Sequence, residues 1–337
     1  MNKSRSYLLS GIGFLAVMLI ARLMLFYEHV HQPLRIVEPY ILEVSSGDTF
    51  RDIVIQLGDE KILRSGIDLR IYARVKGLGN QIRAGEYELS PGITPLGLLD
   101  TLVNGKVRYH TLRLGEGWTL EQAIDAIQQH PAVIKTLNSK DHQSIQAAFN
   151  IEFYPEGFFF PDTYSFIRGT TDLQILQQAW DLMQNLLADA WPQRDEGLPY
   201  TSPRDALVMA SIIEKETALA DEYAQIAGVF IRRLQQNIRL QTDPTVIYGL
   251  GATFDGNLTR LQLQEDTPWN TYTRFGLPPT PIALPGKAAI EASLHPQAGD
   301  TLFFVARGDG SHQFSTTLEE HNLAVQQYQL GVPPKNE

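Results

Sequence analysis

Residues 7–27 read YLLSGIGFLAVMLIARLMLFY, an apolar run of 21 residues near the start of the chain. A helix needs roughly 20 such residues to cross a bilayer, so this run predicts a single transmembrane helix. Lys3 and Arg5 precede it and Glu28 follows it, which leaves residues 1–6 as a cytoplasmic tail by the positive-inside rule. A cleaved signal peptide is the competing reading. It lacks its small-x-small cleavage pattern, because Ala21 is followed by Arg22, Leu23 and Met24. Arg22 lies in the last third of the run, where a long side chain is expected to snorkel to the outer interface. The run therefore reads as an uncleaved anchor, with the rest of the chain on the far side of the membrane.

Composition limits what that remainder can be. The chain has 337 residues, 38 acidic and 28 basic, and a net charge of -10. Nucleic-acid binding needs a basic footprint and is not expected. The sequence has no cysteine, which excludes thiol catalysis and thiolate metal sites without fixing the compartment.

After a linker at 28–39 the pattern predicts a strand at 40–44, a helix capped by Thr49, and a second helix opened by Ser65. That second helix carries Ile67, Leu69, Ile71 and Val75. A strand at 83–89 and a helix begun by Thr94-Pro95 complete a unit at 40–106. A larger mixed α+β domain is expected over 107–332, followed by a tail at 333–337. Its helices are predicted at a Thr119 cap and at 171–190, 203–220 and 222–236. Residues 240–300 read as long Pro/Gly-rich loops, and a buried strand (301–307) precedes a last helix from Thr317.

Chemistry concentrates in a few segments. On the helix PRDALVMASIIEKETALA, a period of 100° per residue groups Glu216 with Met209, Ile212, Ile213 and Leu219, with Tyr223 joining if the helix continues. Glu214 falls on the side of Leu207, Ala210 and Ser211. A carboxylate among apolar side chains loses hydration and its pKa rises, as a general acid requires. A solvated end to the helix is the alternative. The segment EGFFFPDTY (156–164) sets aromatic faces beside carboxylate and hydroxyl groups, which suits a sugar, or else it is a core strand ending at Pro161. In LQTDPTVIYGLG (240–251), Asp243 before Pro244 has the form of a helix N-cap. WNTY (269–272) leads into GLPPTPIALPG (276–286), a run that can wall a cleft. The histidines show no metal-binding spacing, and His29 and His31 read as juxtamembrane surface. His312 and His321 fit a core or a cleft equally well. Neither a metal nor a cofactor is expected.

ASIIEKET (210–217), LQTDPTVIYGLG, EGFFFPDTY, WNTY and GLPP…ALPG together resemble the endolytic murein transglycosylases, the YceG-like family, over nearly the whole chain. The resemblance implies an inner-membrane anchor, a LysM-like βααβ subdomain at 40–106 and a periplasmic catalytic domain. It also implies cleavage of nascent peptidoglycan between N-acetylmuramic acid and N-acetylglucosamine with a 1,6-anhydro end. Glu216 is then the catalytic acid and, as its conjugate base, the acceptor of the C6 hydroxyl proton. Glu156, Phe159, Asp162, Tyr164, Gln241, Thr242, Asp243, Tyr248, Asn270 and Tyr272 become candidate substrate-binding residues. Peptidoglycan synthases of the elongation machinery are the implied protein partners. GEGW (115–118) departs from the family, which often has proline or valine before the glutamate. A hydrolytic muramidase and a non-catalytic, membrane-anchored peptidoglycan-binding scaffold are the competing functions.

Overall fold

The computed structural model describes residues 3–331, with side chains from Ser10 onward. Residues 1–2 of the expected cytoplasmic tail and all of 333–337 lie outside the described residues.

The apolar run lies within helix α1 (Lys3–His31). Ser10–His31 is long and apolar enough to cross a membrane, with mean hydropathy 1.9. The arginine within it departs from expectation. Arg22 forms an ion pair with Asp68, and His29 Nδ1 lies 2.6 Å from the other oxygen of the same carboxylate.

The chain divides into two compact units. The first, ending at His110 and rejoined by residues 166–169, holds β1 (Tyr40–Val44), α2 (Phe50–Asp59), α3 (Gly66–Lys76), β2 (Gly85–Leu89) and α4 (Pro95–Val103). β1 and β2 pair antiparallel, from Tyr40 opposite Leu89 to Val44 opposite Gly85. Thr49 begins α2 with a capping box that uses Asp52, and the Thr94 hydroxyl accepts from Gly97 N at the start of α4. Gly77, at φ +67°, ends α3 in the left-handed conformation that glycine adopts without strain. Leu42, Ile53, Leu57, Leu69, Tyr87 and Leu98 fill the core. Removing each such side chain from water stabilises the fold by about 1.5–3 kcal/mol. Ile67, Ile71 and Val75 stay exposed, because α3 turns Asp68, Leu69 and Ala73 inward instead.

The second unit begins at Thr111 and resumes at Thr170. Its elements begin with β3 (His110–Arg113), α5 (Leu120–Gln129), α6 (His142–Phe149), β4 (Thr163–Phe166), α7 (Asp172–Ala190), α8 (Pro203–Glu216) and α9 (Tyr223–Gln235). They continue with α10 (Asp243–Leu250), α11 (Arg260–Gln264), α12 (Lys287–Leu294), β5 (Phe303–Ala306), β6 (His312–Ser315) and α13 (Leu318–Tyr328). The sheets are two-stranded, β3 with β4 and β5 with β6, so the whole is mixed α+β.

Three expectations are corrected here. Residues 240–300 contain α10, α11 and α12 rather than loops alone; these helices have only 8, 5 and 8 residues, too short to show a period. No strand ends at Pro161, since residues 156–161 are irregular and strand structure starts at Thr163. Finally, α8 is not amphipathic. Every residue from Ala206 to Ile213 is buried, because α12 and α9 pack against it. The helix also stops at Glu216, so Leu219 and Tyr223 do not share its apolar face.

Candidate active site

Glu216 is the last residue of α8, where the helix emerges from the core. Its carboxylate accepts a hydrogen bond from the Thr242 hydroxyl. Part of the residue opens on a cavity of about 520 Å³ in the second unit. Enclosure by protein atoms raises its pKa to about 7, and the nearby Asp243 pushes the same way. The Thr242 hydrogen bond and His312 oppose that rise without cancelling it. A carboxyl with this pKa holds a proton at neutral pH and can release it, which is the demand on a general acid.

The cavity wall opposite α8 is built by the turn into α10. Gln241 sits at φ +53°, and its backbone N donates to Thr271 O at 3.2 Å. Arg233 reaches from α9 to hold this turn, its Nη1 donating to the carbonyls of Arg239 and Leu240 at 3.0 Å each and to Gln241 Oε1 at 3.3 Å. Thr242 is buried and is the N-cap of α10, which places Asp243 at its first residue rather than at the cap. Tyr272 OH donates to Asp243 Oδ1 at 2.6 Å. Enclosure raises the Tyr272 pKa, with Asp243 adding to the rise, so the phenol stays a donor.

Glu216, Gln241, Thr242, Asp243 and Tyr272 thus share one cavity. The other candidate residues are elsewhere. Glu156 is 2% exposed and accepts from Leu120 N at 2.7 Å, capping α5, and from Tyr248 OH at 3.0 Å. Phe159 is wholly buried against Phe149 and Trp180. Tyr164 is buried, its hydroxyl donating to Phe160 O at 2.5 Å. Asn270 is wholly buried and donates to the carbonyls of Gln262, Leu263 and Glu265, which ends α11. Asp162 is exposed and bonds the Thr163 amide at 2.6 Å. None of these five, nor Tyr248, lines the cavity.

Arg233, Phe303 and Asn322, which no sequence signal singles out, also line the cavity, together with His312 and His321. They come from α9, from the β5–β6 hairpin and from α13. Of the two placements open to His312 and His321, core or cleft, both residues take the cleft.

Glu214 points elsewhere. Its Oε2 accepts from Gly286 N at 2.9 Å and its Oε1 from Tyr223 OH at 3.2 Å. Burial raises its pKa too. It lines a different cavity with Arg113, Glu116 and Trp118. A larger cavity, about 730 Å³ between α7, α9 and α12, holds neither Glu214 nor Glu216. Size therefore does not locate the chemistry; a protonatable carboxyl with convergent polar partners does. Among the described residues, no group of three or more His, Asp and Glu side chains is placed to hold a metal ion.

Fold and site together define a mixed α+β protein with a membrane-length N-terminal helix and a cleft built around a carboxylic acid. Residues 42–327 match the YceG-like family, and the chain belongs to it. It is 31% identical to an endolytic murein transglycosylase of Bacillus subtilis, over 88% of this chain and 86% of that protein. It is 24% identical to an endolytic murein transglycosylase of Streptococcus pneumoniae, covering 85% of this chain but only 57% of that longer protein. The crystal structure of a YceG-like protein from Listeria monocytogenes superposes with a TM-score of 0.53 at 31% identity, covering 85% of this chain and 98% of that one.

Proposed function

We propose that this chain is an endolytic peptidoglycan lytic transglycosylase, tethered by α1 to the inner membrane with its catalytic unit in the periplasm. The bond it cuts joins N-acetylmuramic acid to N-acetylglucosamine in nascent glycan strands, and the product is a 1,6-anhydromuramic end. The observation that carries the reading is Glu216, which lines an open cavity with a pKa near 7. In the simplest scheme Glu216 protonates the leaving oxygen while the sugar's own C6 hydroxyl attacks C1. The carboxylate so formed then accepts the hydroxyl proton. Because the nucleophile belongs to the substrate, the reaction has the entropic advantage of an intramolecular attack, and no second carboxylate is needed to activate water. Tyr272 and Gln241 orient the glycan, and the Asp243 carboxylate faces the positive charge that develops on the ring. The βααβ portion of the first unit is read as LysM-like, and synthases of the elongation machinery are the expected neighbours of the tethered enzyme.

Glu216→Gln and Glu214→Gln separate the possibilities. Loss of anhydro ends from purified glycan strands in the first variant alone, read by mass spectrometry, supports the reading. Products heavier by one water would make the protein a hydrolytic muramidase. A wild type that cuts nothing would make it a scaffold.

A further inference from the structure

His312 begins β6 and is held by one carboxylate at two points. Its backbone N donates to Glu222 Oε1 at 2.8 Å, and its Nδ1 lies 2.7 Å from Glu222 Oε2. The Thr217 hydroxyl, on the residue next to Glu216, completes the shell at 3.4 Å from Glu222 Oε2. Burial alone would push the Glu222 carboxyl up, but the bonds from His312 outweigh it and keep the group below the usual carboxylate range. An ionised Glu222 can only accept, so Nδ1 carries the hydrogen, and in the neutral ring Nε2 is the acceptor. The edge of the ring packs on Phe304, with centroids 5.4 Å apart, which fixes its plane.

Nε2 has no partner among the described residues, and it is not one of the buried polar atoms left without one. It therefore keeps some contact with solvent, and His312 lines the same cavity as Glu216. The other ionisable groups on that cavity are Asp243, Tyr272, Arg233 and His321. Asp243 is already engaged by Tyr272, and Arg233 by backbone carbonyls. A carboxylate-oriented imidazole and a protonated carboxyl on one cavity are the parts of a base and an acid acting together.

We propose that His312, oriented by Glu222, is the general base that takes the C6 hydroxyl proton during ring closure. The inference rests on the transglycosylase reading and divides the two proton transfers that the simplest scheme assigns to Glu216. The sugar O6 bonds to C1 as the C1–O4 bond breaks. The Glu216 proton goes to O4 of the departing sugar, and the O6 proton goes to His312 Nε2. Turnover leaves a Glu216 carboxylate and an imidazolium paired with Glu222. A proton returns from the imidazolium to Glu216 through solvent once product has left. Glu222 is a positioning residue in this scheme.

The test compares full-length wild type, Glu216→Gln and His312→Ala in detergent on purified glycan strands, counting anhydro ends. A wild type that forms none sinks the transglycosylase reading and this proposal with it. Given an active wild type, His312→Ala is expected to lose about 10²–10⁴-fold in kcat with KM within about threefold. Added imidazole is expected to restore His312→Ala by about tenfold or more while leaving Glu216→Gln inactive. A kcat within about threefold of wild type overturns the proposal, as does a loss in a folded variant that imidazole leaves untouched. If His312→Ala melts early, Glu222→Gln keeps the ring and removes the negative charge that pairs with the imidazolium. An unchanged kcat in that variant also overturns the proposal.

Discussion

The Thr242 hydroxyl donates to the Glu216 carboxylate, so the N-cap of α10 is tied to the last residue of α8. That bond favours the ionised form of Glu216, while enclosure and Asp243 favour the protonated one. Because an acid catalyst must carry its proton, kcat/KM is expected to fall above about pH 7. Thr242→Val removes the one hydrogen bond that lowers this pKa, so the alkaline limb should move to higher pH. It also frees the carboxyl to turn, for an expected loss of about tenfold in kcat at pH 6, the equivalent of one ordinary hydrogen bond. A limb that moves down, or stays in place, would contradict the account. The pH–rate profile of the variant reads both effects.

Glu156 is a buried carboxyl that the chemistry does not use. Burial raises its pKa to about 7, against the donors Leu120 N and Tyr248 OH. A folded-state pKa above the ordinary 4.5 means that the unfolded chain releases this proton first. The stability associated with Glu156 is therefore complete below about pH 4.5 and is lost progressively up to about pH 7. Glu156→Gln keeps an acceptor for Leu120 N and cannot ionise. It should raise the melting temperature at pH 8, by a stability of up to about 3 kcal/mol, and leave it nearly unchanged at pH 4.5. Calorimetry at the two pH values decides this, and equal shifts at both would refute the assignment.

Local signals placed most of the elements, because caps and periods are written in adjacent residues. Thr49, Thr94, Thr119, Thr171 and Thr317 each open a helix with a hydroxyl-to-amide bond. The cavity was only half legible for the complementary reason. Glu216 and the turn at 241–243 lie in contiguous motifs, whereas His312 is joined to Glu222 across 90 residues and a lone histidine has no spacing to read. The EGFFFPDTY segment is ambiguous for a different reason. Aromatic rings beside carboxylates look alike whether they face a sugar or one another, and Phe159 faces Phe149 and Trp180. Even Glu216 stood out partly for the wrong cause, since α8 is buried on all sides and its two glutamates are distinguished by where the helix ends.

Gly157 gives that same segment a sharper test. It lies at φ +83°, and a Cβ built there would come within 2.4 Å of Pro281 Cβ and 3.2 Å of Ala283 O. Proline and backbone cannot swing away as a flexible side-chain tip would, and an L side chain is strained at this φ as well. Gly157→Ala should therefore destabilise the second unit by about 2–4 kcal/mol. Gly197, also left-handed at φ +76°, has nothing within 4 Å of the same construction. Gly197→Ala should lose only about 1 kcal/mol, the backbone share alone. Urea denaturation of the two variants side by side checks the difference, and equal losses would show that the Pro281 contact is unimportant.

Asp68 poses the last question, because it is 2% exposed and yet ionised between Arg22 and His29. Burial by itself would raise its pKa, but the bonds to Arg22 and His29 hold it below the ordinary 3.8. Arg22 was expected to reach for the lipid–water interface; instead it closes onto α3 of the first unit. Arg22→Met keeps an unbranched side chain about as long as the arginine's methylene stem while removing the guanidinium. Breaking a fully buried pair from one side costs about 3–5 kcal/mol. Arg22 itself is half exposed, so solvent screening reduces the expected loss to about 1–3 kcal/mol. A depressed folded-state pKa contributes stability that is present above the ordinary value and lost as pH falls through the depressed one. The variant raises that pKa toward the ordinary value, so the stability gap between wild type and Arg22→Met should be full at pH 7 and narrow as pH falls toward 3. Thermal unfolding in detergent from pH 7 down to pH 3 measures both. If wild type and Arg22→Met melt together across that range, Asp68 draws its stabilisation from His29 alone.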